Sequence, residues 1–281
     1  MLYQTLKEVV PQAVNNCSAV PQFNINGYSW IEAIMETANQ YKVPIIIGVT
    51  DRNVERLGGY RFIRELIDLL ANRYDVTSPL VLHLDHGQSI KGCKSAIDAG
   101  FSSVMFDGSS LPIEENIAST KEVVAYAHSK GVTVEGEIGG IGGVEDGVVG
   151  GIKFADVDEG IHFVKETGVD LLAAALGSVH GEYQGEPDLQ FDIMDAFSQS
   201  LEIPMVLHGA SGISESDLKK AISFHHGKIN FNTELNIGWA STVKDLFVEY
   251  PNLYDPKVIL NTSKNGIKQV MESKLKLCNL I

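Results

Sequence analysis

The chain alternates short, dense apolar runs with longer segments in which apolar residues return every three or four positions. The dense runs are Ala19–Ile25, Pro44–Thr50, Pro79–Asp85, Ser102–Asp107, Val132–Ile138, Asp170–Leu176, Ile203–His208 and Gly227–Asn232. They are rich in Val, Ile and Leu and lack strict polar alternation, the pattern of strands covered on both faces in a parallel sheet. The longer segments, among them Trp30–Tyr41, Tyr60–Tyr74, Ile113–Lys130, Val157–Thr167 and Ser214–Phe224, carry helical spacing. Strands recurring at roughly 25–30 residues, each followed by a helix, predict an α/β fold closed as a (β/α)₈ TIM barrel; a doubly wound open sheet is the alternative. Glu234–Tyr250 and a tail helix from Pro256 to about Leu277 follow the last strand, and the tail either caps the barrel or forms an oligomer contact. With no linker or repeat beyond the βα rhythm, the 281 residues read as one domain.

Two loops interrupt this rhythm. Gly139–Gly151 reads GGIGGVEDGVVGG, with seven glycines, and Gly177–Pro187 reads GSVHGEYQGEP. Both follow strands, which places them at the C-terminal face where barrel enzymes keep their chemistry. Glycine at this density permits unusual backbone angles. The expectation is a pair of lids carrying Glu145 and His180, rather than passive surface loops.

Charge narrows the function classes. A net charge of −14 argues against nucleic acid or an anionic membrane as partner, so any bound phosphate must be held by local groups. The three cysteines, Cys17, Cys93 and Cys278, are scattered and form no CxxC pair, which reads as a reduced, cytoplasmic protein. Met1 to Val10 is polar and lacks an apolar signal core, and no apolar run approaches the roughly 20 residues that span a bilayer.

Candidate chemistry lies at strand ends. Of eight histidines, His86, His180 and His208 fall at or just past the ends of the third, sixth and seventh strands, which converge at a barrel mouth. Three neutral imidazoles with an open fourth position suit catalytic Zn²⁺, although histidines also serve barrel mouths as plain hydrogen-bonding residues. His83 lies inside a strand and reads as a hydrogen-bonded core residue; His128, His162, His225 and His226 read as surface or helix-end residues. Asp85 directly precedes His86 and is either a general acid/base or the partner that orients a ligand. Glu135 and Glu137 alternate in VEGEIG and so point to one side of their strand, Glu137 nearer the mouth. Two inward carboxylates need metal, cation or hydrogen-bond compensation. HGASGIS (208–214) and NFNTE (230–234) place Gly, Ser, Asn and Thr where helices begin after the last two strands, the usual phosphate site of barrels. Ordinary N-capping by Ser214 and by Asn232 or Thr233 is compatible with that use.

With these residues in hand, the chain resembles the class II fructose-bisphosphate aldolase family from about Met1 to Met271. The matching motifs are QFNIN (22–26), HLDHG (83–87), DGSSLPIEEN (107–116), VEGEIG with GGVEDG (134–147), ALGSVHG with GEP (175–187), LHGASG (207–212) and KINFNTE (228–234). The resemblance implies that His86, His180 and His208 bind zinc, with Glu137 at an alternative metal position. It implies that Asp85 is the acid/base at the C4 hydroxyl and that Glu145 exchanges a proton with the enediolate carbon. Gly181, Gly209, Ser211, Asn232 and Thr233 would hold the phosphate of the dihydroxyacetone phosphate half, with Asn230 and Asn24 also at the substrate. It implies a monovalent cation (Na⁺ or K⁺) near Gly181 and Gly209, and a homodimer or homotetramer.

The resemblance leaves the substrate open. The main expectation is a phosphorylated ketose such as fructose or tagatose 1,6-bisphosphate, as in glycolysis. Glycolytic members tend to have serine at the Thr50 position and a glycine- and alanine-rich stretch at Asp51–Asn53. Here the DR pair, NGYSW (26–30) and Trp239 resemble the inositol-breakdown branch, which cleaves 6-phospho-5-dehydro-2-deoxy-D-gluconate to dihydroxyacetone phosphate and malonate semialdehyde. Arg52 would then pair with a substrate carboxylate, or alternatively with a second phosphate. Rival readings are a Schiff-base aldolase using Lys228 or Lys153, a metal-dependent hydrolase on the same fold, and a non-catalytic subunit. Lys228 is expected at the far end of the barrel and Lys153 in the glycine loop.

Overall fold

The structure is a computed structural model. It describes residues 3–145, 148–183 and 185–281, and the backbone alone of 144, 145 and 148–150. In chain order, α1 (Leu6–Asn15) precedes β1 (Val20–Asn24), α2 (Tyr28–Tyr41), β2 (Ile45–Thr50), α3 (Asp51–Arg56) and α4 (Tyr60–Arg73). Next come β3 (Leu80–Gly87), α5 (Ile90–Asp98), β4 (Ser103–Phe106), α6 (Ile113–Ser129), β5 (Thr133–Ile138), β6 (Gly142–Glu145) and β7 (Val148–Gly150). Then follow α7 (Val157–Thr167), β8 (Leu171–Ala174), β9 (Val179–His180), α8 (Phe191–Ser200), β10 (Met205–Leu207), α9 (Glu215–Ser223), β11 (His226–Phe231), α10 (Thr233–Glu249) and α11 (Pro256–Leu277).

The eight strands read from the sequence close a parallel barrel in the order β1-β2-β3-β4-β5-β8-β10-β11, with β11 returning to β1. The fold is therefore a TIM barrel, not an open sheet. Its strands alternate more than their apolar content suggests. Outward residues such as Phe23, Leu82, Leu84, Val134 and Phe231 join the core beneath the helices. Inward residues change character along the axis. Val20, Ile46, Val81, Leu171, Ala173 and Val206 form an apolar plug with Leu6, Val9, Val10 and Ala13 of α1. Above the plug the interior is polar: Gln22, Asn24, His83, Asp85, Glu135, Glu137, Lys228 and Asn230 are all buried. Gly48 makes room for this layer, since a Cβ there would stand 2.5 Å from Gln22 Nε2 and 2.7 Å from Asn24 Oδ1.

Two expectations change. The N-terminal segment expected to be polar contains α1, whose Leu6, Val9, Val10 and Ala13 share one face at helical spacing and close the barrel bottom. The tail helix caps neither end: α11 lies outside the barrel against α10 and α2. Gly238 and Gly266 let α10 and α11 approach closely, since a Cβ on Gly266 would stand 2.4 Å from the Gly238 carbonyl oxygen. Trp30 of α2 stacks on Trp239 of α10 at 5.7 Å between ring centroids. No helix of the described residues is long and apolar enough to cross a membrane.

Candidate active site

A local backbone irregularity builds the site's centre. Successive strand residues point to opposite faces, yet Asp85 and His86 both reach the barrel mouth. The register between β3 and β4 slips between Leu84 and Gly87, a bulge, and His86 has φ +47°. That left-handed angle costs a non-glycine residue on the order of 1–3 kcal/mol. It turns the His86 ring over the mouth while Asp85 stays inside. Gly87 follows against the neighbouring strand β4, where a Cβ would stand 2.5 Å from the Met105 carbonyl oxygen.

His86, His180 and His208 come together from β3, β9 and the end of β10. Their ring centroids are 4.8 to 5.8 Å apart, and one ligand nitrogen of each lies within 4.8 Å of the others. His86 Nε2 and His208 Nδ1 are 3.1 Å apart. The far nitrogens are held from behind: His86 Nδ1 lies 3.0 Å from Asp107 Oδ2, and His208 Nε2 lies 2.8 Å from Glu135 Oε1. Such outer partners fix the ring and leave one nitrogen for a metal. His86, Asp107 and Glu137 form a second possible ligand set.

The floor beneath the histidines is a buried charge network. Lys228 Nζ lies 2.8 Å from Glu135 Oε2 and donates to Asn230 Oδ1 at 2.9 Å. Burial raises the Glu135 carboxyl, but Lys228 first and His208 next outweigh it and hold the group well below its usual range. Lys228 is thus inside the barrel rather than at its far end, and its position supplies the compensation that the inward Glu135 requires. Burial, then Asp107, pushes the Glu137 carboxyl well above its usual range. His83 is a core residue, with Nδ1 2.8 Å from Ser103 Oγ and a pKa lowered to about 3 by burial, then by Lys228. His226 corrects the surface expectation: it is fully buried, its Nδ1 3.1 Å from the Ala221 carbonyl oxygen.

Asp85 is clamped from two strands. Asn24 Nδ2 donates to Asp85 Oδ2 at 2.7 Å, and Asn230 Nδ2 to Oδ1 at 3.4 Å. Gln22 in turn donates to Asn24 Oδ1 at 2.8 Å. Gln22 was not a candidate from sequence, and Lys228 was weighed only as a rival Schiff-base lysine; their inward register beside Asn24 and Asn230 was the signal.

The turns after β8, β10 and β11 face one another. Gly181 has φ +91° and Gly209 φ +62°. Tyr183 OH donates to the Gly209 carbonyl at 2.8 Å and accepts from Val179 N at 3.1 Å, tying the two turns together. Ser214 caps α9, accepting from Asp217 N at 3.2 Å. Asn232 precedes α10 without capping it; its Oδ1 accepts from Asn26 Nδ2 at 3.1 Å. Ser211 Oγ accepts from Glu234 N at 3.3 Å. Thr233 opens α10 beside these groups, so the helix end offers N–H groups and dipole to an anion.

The two glycine loops are a single structure. β6 pairs antiparallel with β7 and parallel with β9, aligning Gly143 with His180. Gly143 has φ +97°, and a Cβ there would stand 2.0 Å from the His180 carbonyl oxygen. Glu145 ends β6, and its side chain lies outside the described residues. A cavity of about 440 Å³ opens here, lined by Arg52, His86, Asp107, Glu137, Lys153 and His180 among others. Arg52 sits in α3, whose first turn Thr50 caps by accepting from Asn53 N at 3.4 Å.

Comparison with known proteins agrees with this architecture. The family model described as fructose-bisphosphate aldolase class-II matches residues 4–281. The 6-phospho-5-dehydro-2-deoxy-D-gluconate aldolase of Bacillus subtilis is 48% identical, over 98% of this chain and 95% of that protein. The fructose-bisphosphate aldolase of Geobacillus stearothermophilus is 44% identical, over 97% of this chain and 95% of that one. Among solved structures, the YdjI aldolase of Escherichia coli K12 superposes with a TM-score of 0.86 at 30% identity, covering 98% of this chain and 97% of that one. The chain is an aldolase, a carbon–carbon lyase, and belongs to the class II fructose-bisphosphate aldolase family.

Proposed function

We infer that this aldolase cleaves 6-phospho-5-dehydro-2-deoxy-D-gluconate to dihydroxyacetone phosphate and malonate semialdehyde, with zinc as cofactor. The observation that carries the substrate is the 48% identity, over nearly the whole chain, to a relative named for it, against 44% for a fructose-bisphosphate aldolase. The sequence favoured a bisphosphate as the main reading, and the comparisons support its alternative better.

The residues present fit a divalent metal. Three imidazole nitrogens converge within 4.8 Å, and Glu137 Oε2 is buried without a hydrogen-bond partner beside them. His86, His180 and His208 would hold zinc, with Glu137 at a second position. When bound, the metal supplies positive charge beside the ketone and hydroxyl oxygens, as a Lewis acid.

Asp85 takes the hydroxyl proton as the carbon–carbon bond breaks. Asn24 and Asn230 aim its carboxylate and stabilise its charged form. The electron pair passes to the dihydroxyacetone phosphate half, and Glu145 returns a proton to its terminal carbon. Each transfer contributes roughly 10²–10⁴-fold. Gly181, Gly209, Ser211, Asn232 and Thr233 bind the phosphate, the turns at Gly181 and Gly209 would hold a monovalent cation that offsets its charge, and Asn230 contacts the carbonyl end. The protein acts as a cytoplasmic homodimer or homotetramer.

The test compares kcat/KM for 6-phospho-5-dehydro-2-deoxy-D-gluconate, fructose 1,6-bisphosphate and tagatose 1,6-bisphosphate in one dihydroxyacetone phosphate-coupled assay. At least tenfold preference for the first is expected; a preference for either bisphosphate restores the glycolytic-type reading.

A further inference from the structure

The barrel mouth is divided by its own topology. In the ring β1-β2-β3-β4-β5-β8-β10-β11, β4 stands across from β11 and β3 across from β10. The anion-seeking turns follow β8, β10 and β11. The cavity of about 440 Å³ instead lies over the ends of β2 to β5, with the histidines between. A substrate with its phosphate on the first half and its reacting carbons at the histidines must lay its remaining carbons across this cavity.

Two cations stand on that wall, Arg52 from α3 and Lys153 from the segment after β7. Of the carboxylates lining this space among the described residues, Asp51 and Asp107 are already engaged. Asp51 accepts from Tyr60 OH and from Gln88 N. Asp107 accepts from Ser109 Oγ at 2.6 Å and lies against His86, and Glu137 is buried below the mouth. Lys153 has no ion-pair partner among the described residues. Its backbone is nonetheless anchored: Lys153 N donates to the Gly140 carbonyl at 2.9 Å, and Gly140 N donates to the Lys153 carbonyl at 2.8 Å. Ala155 N donates to the Ala175 carbonyl at 2.9 Å, pinning the next turn to the barrel. An exposed ammonium held on a fixed backbone at the edge of a cavity fits a terminal anion.

We propose that Lys153, together with Arg52, binds the terminal carboxylate of the aldehyde half and so sets preference for a carboxylated over an uncharged aldehyde. The proposal rests on the substrate reading above and names the side chain that would enforce it. Lys153 is exposed and its bridge to Gly140 uses backbone atoms only, so Lys153→Met retains the fold.

The experiment runs the reaction in the condensation direction, with dihydroxyacetone phosphate and either malonate semialdehyde or propanal. For Lys153→Met, the ratio of kcat/KM for malonate semialdehyde to that for propanal falls about 10- to 100-fold, the loss of one charge-assisted contact. The loss lies mainly in the KM for malonate semialdehyde, and Lys153→Arg restores most of it. An unchanged ratio in Lys153→Met, or equal losses with both aldehydes, overturns the role of Lys153. A wild-type enzyme that does not favour malonate semialdehyde over propanal overturns the substrate reading instead.

Discussion

The ion pair beneath the histidines gives the sharpest stability prediction. Lys228 and Glu135 are fully buried, and their charges meet at 2.8 Å. Lys228→Met keeps the side chain's approximate volume and removes its charge. Glu135 is then left with the imidazoles of His208 and His83, and Asn230 Oδ1 loses its donor at 2.9 Å. Breaking a buried pair from one side costs about 3–5 kcal/mol, because the surviving charge stays desolvated. Glu135→Gln strands the ammonium in the same way and costs a similar amount. The double variant removes both charges, so its loss falls at least about 2 kcal/mol short of the summed single losses. Urea unfolding at pH 7 of the wild type, both single variants and the double variant gives the cycle directly. A Lys228→Met loss below about 1 kcal/mol, or strict additivity, refutes the argument that this pair carries the polar interior.

Other consequences follow from the same geometry. His226 is held neutral by burial, with a pKa lowered to about 4. The unfolded chain, titrating near 6.5, takes up the proton first, so about 3 kcal/mol of stability is present above pH 6.5 and lost as pH falls toward 4. His226→Gln therefore flattens the stability profile in that window; a profile identical to wild type removes His226 from the account. Tyr183→Phe deletes the hydroxyl joining Val179 N to the Gly209 carbonyl. It raises the KM for phosphorylated substrate roughly tenfold, consistent with about 1–3 kcal/mol for an unsatisfied buried donor; unchanged steady-state kinetics contradict it. Gly143→Ala forces a Cβ against His180 at φ +97°. It lowers kcat/KM at least about tenfold while the unfolding midpoint moves by only a few degrees, since β6 lies outside the barrel; full activity shows that the β6–β9 pairing is dispensable.

Much of the barrel was legible because each strand is a short apolar run closed by a turn, and both-face burial writes that pattern locally. Glu135 and Glu137 were readable as an inward pair from their spacing alone. What escaped depends on contacts distant in sequence or on single backbone angles. The apolar face of α1 is diluted by Lys7, Glu8 and Pro11, so the segment looked polar although Leu6, Val9, Val10 and Ala13 plug the barrel. The turn that brings Asp85 and His86 to the same mouth is one left-handed residue, which HLDHG does not announce. Lys228 is a strand residue whose partner, Glu135, is supplied by another strand. The pairing of β6 with β9 joins residues far apart in sequence, so the two loops expected as a pair of lids share one sheet.

The most direct measurement of the central claim is dihydroxyacetone phosphate release from 6-phospho-5-dehydro-2-deoxy-D-gluconate by purified protein, before and after EDTA, with zinc added back. The account predicts release that EDTA abolishes and zinc restores, with wild-type metal content by elemental analysis and zinc affinity weakened in His208→Ala. Release that persists in fully metal-free protein, with borohydride trapping substrate on a lysine, contradicts it.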